Sequence, residues 1–426
     1  MTAPLLETMR RGACPSLSAP MQTGDGYLSR IALTGPVAPE AIISLCNAAL
    51  RLGNGLIDIS ARGNLQARGL SAETARLFEA EVRTLDLPLR SGLAVDTGPL
   101  AGLDPQEVTD PRPLAEAIRM RADHLRLLDR LAPKTAVIVD GGGSLSLARL
   151  LADIRLKATQ GGWLLSTGGT ETPEKAQGLL PWDEAPDAAL ALLSAMAERG
   201  PRFRGRDFTA SEVRELTGIK AAPHQGGVVL ETSPFGRFAL NNGKAALGCG
   251  PAFGQMRADD LAALMAAVIE AGCEAVRPAP GHALMLMAEE TALPKLRDIV
   301  AGANLMQSGD DPRASIAACP GQPGCASAHF DTHALARAVA ALPGWQGGAL
   351  RFHISGCAKG CAHPEPAPVT LSGTPDGLQL IVDGKASDLS NTISSNLSMP
   401  DMLSRISALA ISTPAPAGAK AANRQE

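Results

Sequence analysis

Four cysteines near the C-terminus, Cys319, Cys325, Cys357 and Cys361, stand in a C-x5-C … C-x3-C array. The first pair lies in Cys319-Pro-Gly-Gln-Pro-Gly-Cys325, the second in Ser355-Gly-Cys357-Ala-Lys-Gly-Cys361-Ala-His-Pro. Four thiolates on glycine- and proline-rich loops suit a [4Fe-4S] cubane, which takes one cysteine per iron. The glycines leave backbone N–H groups near sulfur, and such hydrogen bonds tune a cluster's potential. Structural zinc also uses four cysteines, but its pairs are usually spaced C-x2-4-C, and the first pair here is wider. A disulfide framework fits less well. Eight cysteines are sparse in 426 residues, and Met1 to Arg11 lacks the apolar run of a secretory signal. The expectation is an iron–sulfur protein of the reducing cytoplasm. Cys46 falls on an apolar helix face and reads as core, while Cys14, Cys249 and Cys273 stand apart.

Composition bounds the partners. Net charge is −4 and aromatics make up 3% of the chain, so neither a basic field nor a stacking platform for nucleic acid is present. No apolar run approaches the roughly 18 residues that span a bilayer. With 426 residues and 45% hydrophobic content, the chain is expected to form several structural domains. The Ala/Pro-rich stretch 412–426 reads as a disordered tail.

The elements that must position the cysteines follow from an internal repeat. Ile42, Leu45, Cys46, Ala49 and Leu50 have helical spacing, with Gly53 as a stop. Leu261, Leu264, Met265, Val268 and Ile269 repeat the pattern, with Gly272 as the stop. Each pair is displaced by the same interval, which continues from Ile57 to Val276 and from Leu65 to Leu284. Each repeat is expected to be a small α+β unit. Lys134 to Asp140 reads as a buried strand running into Gly141-Gly142-Gly143, whose spacing is neither a dinucleotide fingerprint nor a phosphate-cradling loop. Trp163 to Ser166 reads as a strand and Thr167 to Thr170 as a turn; Glu198 to Asp207 reads as a linker between the halves. An apolar helix is expected over His333 to Leu342, and a strand pair around Val369 and Leu378. Without a dinucleotide motif, electrons from any reduced nicotinamide are expected to arrive through another protein.

The cysteine array, together with Ser60-Ala-Arg62-Gly-Asn64-Leu-Gln66, resembles the sulfite/nitrite reductase superfamily. That resemblance spans about Gly24 to Leu409. It implies an α+β fold in which two ferredoxin-like repeats and two larger α/β domains, related by duplication, surround a tetrapyrrole and an iron–sulfur cluster. The expected boundaries are 15–88 and 215–303 for the small repeats, 89–205 for the first α/β domain and 304–411 for the cluster domain. Arg62 and Gln66 match the superfamily's Thr-x-Arg-x-x-x-Gln loop, and Lys134 matches the first lysine of its Lys-x-Lys pair. Leu93 and Ala136 stand where an arginine and the second lysine would be, which argues against reduction of a small oxyanion by bound sirohaem.

Within the superfamily the chain is more similar to the precorrin-3B synthases of aerobic cobalamin biosynthesis. The carrying segments are Arg11-Gly-Ala-Cys14-Pro, Pro20-Met21, Gly24-Asp25-Gly26, Pro99 to Pro105, Asp140 to Ser146 and His353 to Pro364. This likeness implies an oxidoreductase that uses O2 to hydroxylate precorrin-3A at C20 and close a γ-lactone. It also implies a [4Fe-4S] cluster and a mononuclear non-haem iron. Arg62, Asn64, Gln66, Arg68 and Lys134 are the candidate tetrapyrrole-binding residues, and Cys319, Cys325, Cys357 and Cys361 the cluster ligands. The second iron's ligands stay unassigned. His329-x3-His333 with Asp331 offers two imidazoles and a carboxylate, but it also reads as an ordinary structural pair.

Overall fold

The computed structural model describes residues 15–219, 232–343 and 351–412. Cys14, the Arg11 segment and the tail beyond Ser412 lie outside the described residues. The chain forms two compact units that divide between Gly309 and Asp310.

In the first unit, Pro39 presets the first turn of helix Pro39–Leu52 and Glu40 complements its dipole. The N–H of Gly53 closes on the carbonyl of Ala49. Helix Ala258–Glu270 starts with Asp259 and Asp260 in its first turn. Ile42, Leu45, Cys46 and Ala49 share one buried cluster with Leu261, Leu264, Met265 and Val268. The fifth position of each pattern lies off this stripe: Leu50 is exposed and Ile269 half-buried.

Each repeat has the order strand, helix, strand, strand, helix. In the first these are Gly26–Ile31, Pro39–Leu52, Leu56–Ile59, Leu65–Leu70 and Ala72–Arg83. In the second they are Lys244–Cys249, Ala258–Glu270, Cys273–Ala279, Ala283–Glu289 and Leu293–Gly302. The third strand lies between the other two in both sheets. Ile57 and Val276 occupy equivalent second strands, and Leu65 and Leu284 the third. Strand Gln255–Arg257 of the second half pairs antiparallel with Leu56–Ile59 of the first.

The larger sheets are also duplicated. Ala94–Thr97, Ala136–Asp140 and Ala152–Thr159 run parallel, and Gly162–Gly169 and Ala176–Leu180 continue the sheet antiparallel. In the second unit Ile316–Ala318, Phe352–Ser355 and Ala367–Thr374 are parallel, followed by antiparallel Gly377–Gly384 and Thr392–Leu397. A helix joins the first two strands in each, Arg112–His124 and Thr332–Ala340. The duplicated α+β architecture is therefore the one expected from the sequence.

Local readings differ in places. Thr167 does not begin a turn; its strand runs on to Gly169. The Glu198–Asp207 segment is no free linker, because Arg204 Nε and the Gly205 N–H both bind Asp153, at 2.8 and 2.9 Å. The Gly141–Gly143 turn is crowded by acids: a Cβ on Gly143 would lie 2.4 Å from Asp104 Oδ2. Nearby Glu107 is pushed up to about 7 by burial and by Asp104, Asp110 and Asp140. A glutamate that holds its proton more tightly when folded stabilises the fold below its ordinary pKa. That stability is lost as pH rises through the folded value. Glu107→Gln keeps an acceptor for the Gly102 N–H. The variant is expected to match the wild-type Tm near pH 5 and to exceed it at pH 8, by thermal denaturation.

Candidate functional site

The first unit contains a groove of about 740 Å3. Arg30 enters from strand Gly26–Ile31, and Arg62 and Arg90 from loops flanking the small sheet. Lys134, Lys175, Arg204 and Arg206 line the side formed by the larger sheet. Against these seven cations stand two carboxylates, Asp153 and Glu174. Such an excess of positive charge around partly apolar walls suits a large ligand bearing several carboxylates.

Several of the groove's cations are held by specific partners. Arg62 donates to Asp96 Oδ2 from Nε and Nη2 at 3.1 and 2.6 Å, and to the carbonyl of Leu151 at 2.8 Å. Arg90 Nη1 takes the other oxygen of Asp96 at 2.5 Å. One carboxylate thus orients two guanidiniums. Arg204 grips Asp153 through two contacts of 2.8 Å. The Lys134 ammonium is exposed and has no partner among the described residues. Gly63 lets the Arg62 loop approach the second repeat: its φ is +74°, and a Cβ there would lie 2.6 Å from the Ala279 carbonyl carbon.

Of the residues expected from sequence, Arg62, Asn64 and Lys134 line the groove. Gln66 does not. Its amide oxygen, in the orientation its neighbours dictate, accepts from Arg30 Nη2 and Nε at 2.9 and 3.0 Å, so Gln66 acts through Arg30. Arg68 is buried away from the groove. It binds both oxygens of Asp25 at 2.7 and 2.9 Å, and Asp58 at 2.8 Å. Burial opposes its charge, but Asp58 and Asp25 hold its pKa above the ordinary arginine value. Arg68→Met would strand two acids at a cost of about 3–5 kcal/mol. A large fall in Tm is the expected result by calorimetry.

Leu93 is core, as its apolar character requires, yet the groove does not lack a cation there. Arg90, three residues earlier, supplies one. Arg30, Lys175, Arg204 and Arg206 were missed because they come from elements far apart in sequence. Ala136 does line the groove and offers no charge.

The cysteine loops lie in the second unit. Cys319 follows strand Ile316–Ala318, and Cys357 follows the adjacent parallel strand Phe352–Ser355 by two residues. Both pairs therefore start at strand C-terminal ends, where α/β folds commonly build sites. The Gly356 N–H donates to Cys319 Sγ at 3.1 Å. Lys359 Nζ reaches Ser327 Oγ at 2.8 Å, tying one cysteine loop to the other. Burial raises the Cys361 thiol, and Cys319, Cys357 and Cys325 raise it further, so the four thiols share one electrostatic neighbourhood. His353 is fully buried with neither ring nitrogen hydrogen-bonded. Burial and His363, whose ring lies 5.8 Å away, push it down to about 4.

Cys46, Cys249 and Cys273 are buried, and burial pushes their thiols up to about 12, 12 and 11. They are inert core side chains. Asp331 is occupied as a helix cap, accepting the Ala334 N–H at 2.9 Å. Among the described residues, no three His, Cys, Asp or Glu side chains are grouped to hold a metal ion. A cubane has a different demand, since its four cysteines sit on four separate irons.

A precorrin-3B synthase of Sinorhizobium sp is 40% identical to the chain over 410 residues, covering 94% of this chain and 89% of that protein. The chain belongs to the precorrin-3B synthase family. It is an oxidoreductase. No family model matches. Among solved structures, the NirA protein of Mycobacterium tuberculosis superposes with a TM-score of 0.69 at 19% identity, covering 89% of this chain and 79% of that one. That likeness shows the fold, a duplicated α+β architecture. No described helix is long and apolar enough to cross a membrane.

Proposed function

We propose that this chain catalyses the precorrin-3B synthase reaction, the O2-dependent hydroxylation of precorrin-3A at C20 with γ-lactone formation. The observation that carries the proposal is the groove of about 740 Å3 with seven cations against two acids. Precorrin-3A, with eight carboxylates, is the complementary ligand. Arg62 and Arg90, set by Asp96, offer fixed donors; Lys134 offers a mobile one. Asn64 adds a neutral amide to the groove's lining, and Gln66 steadies Arg30.

Cys319, Cys325, Cys357 and Cys361 are proposed to hold a [4Fe-4S] cluster. The donor set fits it: four thiols in one electrostatic neighbourhood, a backbone N–H already on Cys319 Sγ, and the unpartnered His353 near the second loop. A Cβ on Gly360, between Cys357 and Cys361, would lie 3.5 Å from the His353 ring. When bound, a cluster supplies single electrons for oxygen chemistry. The donor would be a separate reductase drawing on NADH. A mononuclear non-haem iron belongs to the same reading, with its ligands unassigned. We further propose a cytoplasmic setting and the division 15–88, 89–205, 215–303 and 304–411.

Incubation of the reduced, anaerobically purified protein with precorrin-3A and labelled O2 tests the reaction. One labelled oxygen in a hydroxylactone is expected. Absence of a labelled hydroxylactone would count against hydroxylation by O2, and stoichiometric extractable sirohaem would point instead to sulfite or nitrite reduction.

A further inference from the structure

Next to the groove lies a cavity of about 40 Å3 that shares Arg62, Asn64 and Arg90 with it and adds Arg119 and Arg277. Its one carboxylate, Asp96, is already taken by Arg62 and Arg90. Arg277 is 6% exposed, and its guanidinium has no hydrogen bond or ion pair among the described residues. Burial and Arg112 push it down to about 10 against the pull of Asp96 and Glu107, so it remains a cation at neutral pH. Arg119 Nε is likewise buried without a partner.

The repeat explains why Arg277 is alone. Strand pairing places Asp58 opposite Gln66 and Arg277 opposite Met285, so Arg277 stands where the first repeat has Asp58. In the first repeat Asp58 is neutralised by Arg68, two residues beyond Gln66. Two residues beyond Met285 is Met287, which is apolar. The second repeat has therefore placed a cation at this position without a counter-ion. An unpaired buried guanidinium is costly, and an entering anion would relieve it.

We propose that this cavity seats one carboxylate side arm of the tetrapyrrole bound in the adjoining groove. The proposal rests on the functional reading above. A cavity needs roughly 10–15 Å3 to hold one water, so the space accepts a carboxylate group and not a ring. Arg277 and Arg119 supply the donors, while Arg62 and Arg90 form the wall common to both spaces.

The test uses the full-length protein with precorrin-3A and, separately, formate as a free carboxylate. Arg277→Met removes the charge at similar length. Its Tm without ligand is expected to equal or exceed that of wild type, and its Kd for precorrin-3A to rise at least tenfold. Arg277→Lys, which keeps the charge but not the fork, is expected to bind several-fold more weakly than wild type and serves alone if the Met variant does not fold. An unchanged Kd overturns the proposal, as does a clear loss of ligand-free Tm in both variants. If wild type fails to bind precorrin-3A, the reading of the groove fails by itself and the macrocycle is ruled out as source. Formate then decides the cavity: a Tm rise in wild type but not in Arg277→Met retains a free-carboxylate site, and no rise in either removes it.

Discussion

Cys361→Ser is expected to give a folded protein with little iron or sulfide and no measurable precorrin-3A turnover. Cys361 is exposed in a glycine-flanked loop and contributes no core packing, so global stability should not depend on its sulfur. A serine hydroxyl is a poor substitute for a thiolate on iron. Losing a mere outer partner of a metal site costs about 10–100-fold in affinity or activity. Losing a ligand should exceed that. Iron and sulfide analysis, the visible spectrum and single-turnover assays supply the readout. A variant with full cluster and full activity would remove Cys361 from the ligand set. Cys46→Ala should show the reverse signature, a lower Tm with iron content preserved, because Cys46 is core.

Arg62→Gln and Lys134→Gln are expected to weaken precorrin-3A binding by about tenfold or more each. A hydrogen bond to a charged group contributes about 1.5–3 kcal/mol, and 1.4 kcal/mol is tenfold in Kd. In Arg62→Gln the Arg90–Asp96 pair survives, so the groove keeps its shape and loses one donor. Binding by wild type should also weaken as salt screens the groove. If these residues only hold substrate, KM rises while kcat stays close to its original value. Salt-insensitive binding together with an unchanged Kd in both variants would count against a carboxylate-reading groove.

The sequence exposed what is periodic or chemically rare. The helices Pro39–Leu52 and Ala258–Glu270 were legible because apolar residues recur on one face, and the cysteines because their pairing on Gly-rich loops has few uses. Arg62 and Arg68 were not separable that way. Both are cations in one short stretch, yet one faces the groove and the other meets Asp25, whose proximity depends on strand pairing across the sheet. Arg204 and Arg206 looked like a charged linker for the same reason: Asp153, which anchors Arg204, is distant in sequence. Arg90 was obscured by Leu93, since spacing along a chain does not reveal which nearby residue turns inward. Arg277 gave the faintest signal, visible only when the two repeats are laid over one another.

Strand Gln255–Arg257, which closes the first repeat's sheet against Leu56–Ile59, also governs how the molecule can be made. A ribosome must extend the chain through Arg257 before that edge is covered. Until then the backbone of Leu56–Ile59 is open to pairing with any other nascent chain. Such remote strand pairing slows folding and favours aggregation when expression is fast. Cutting the gene between the repeats would leave that edge permanently bare, whereas co-expression of both fragments could restore the sheet in trans.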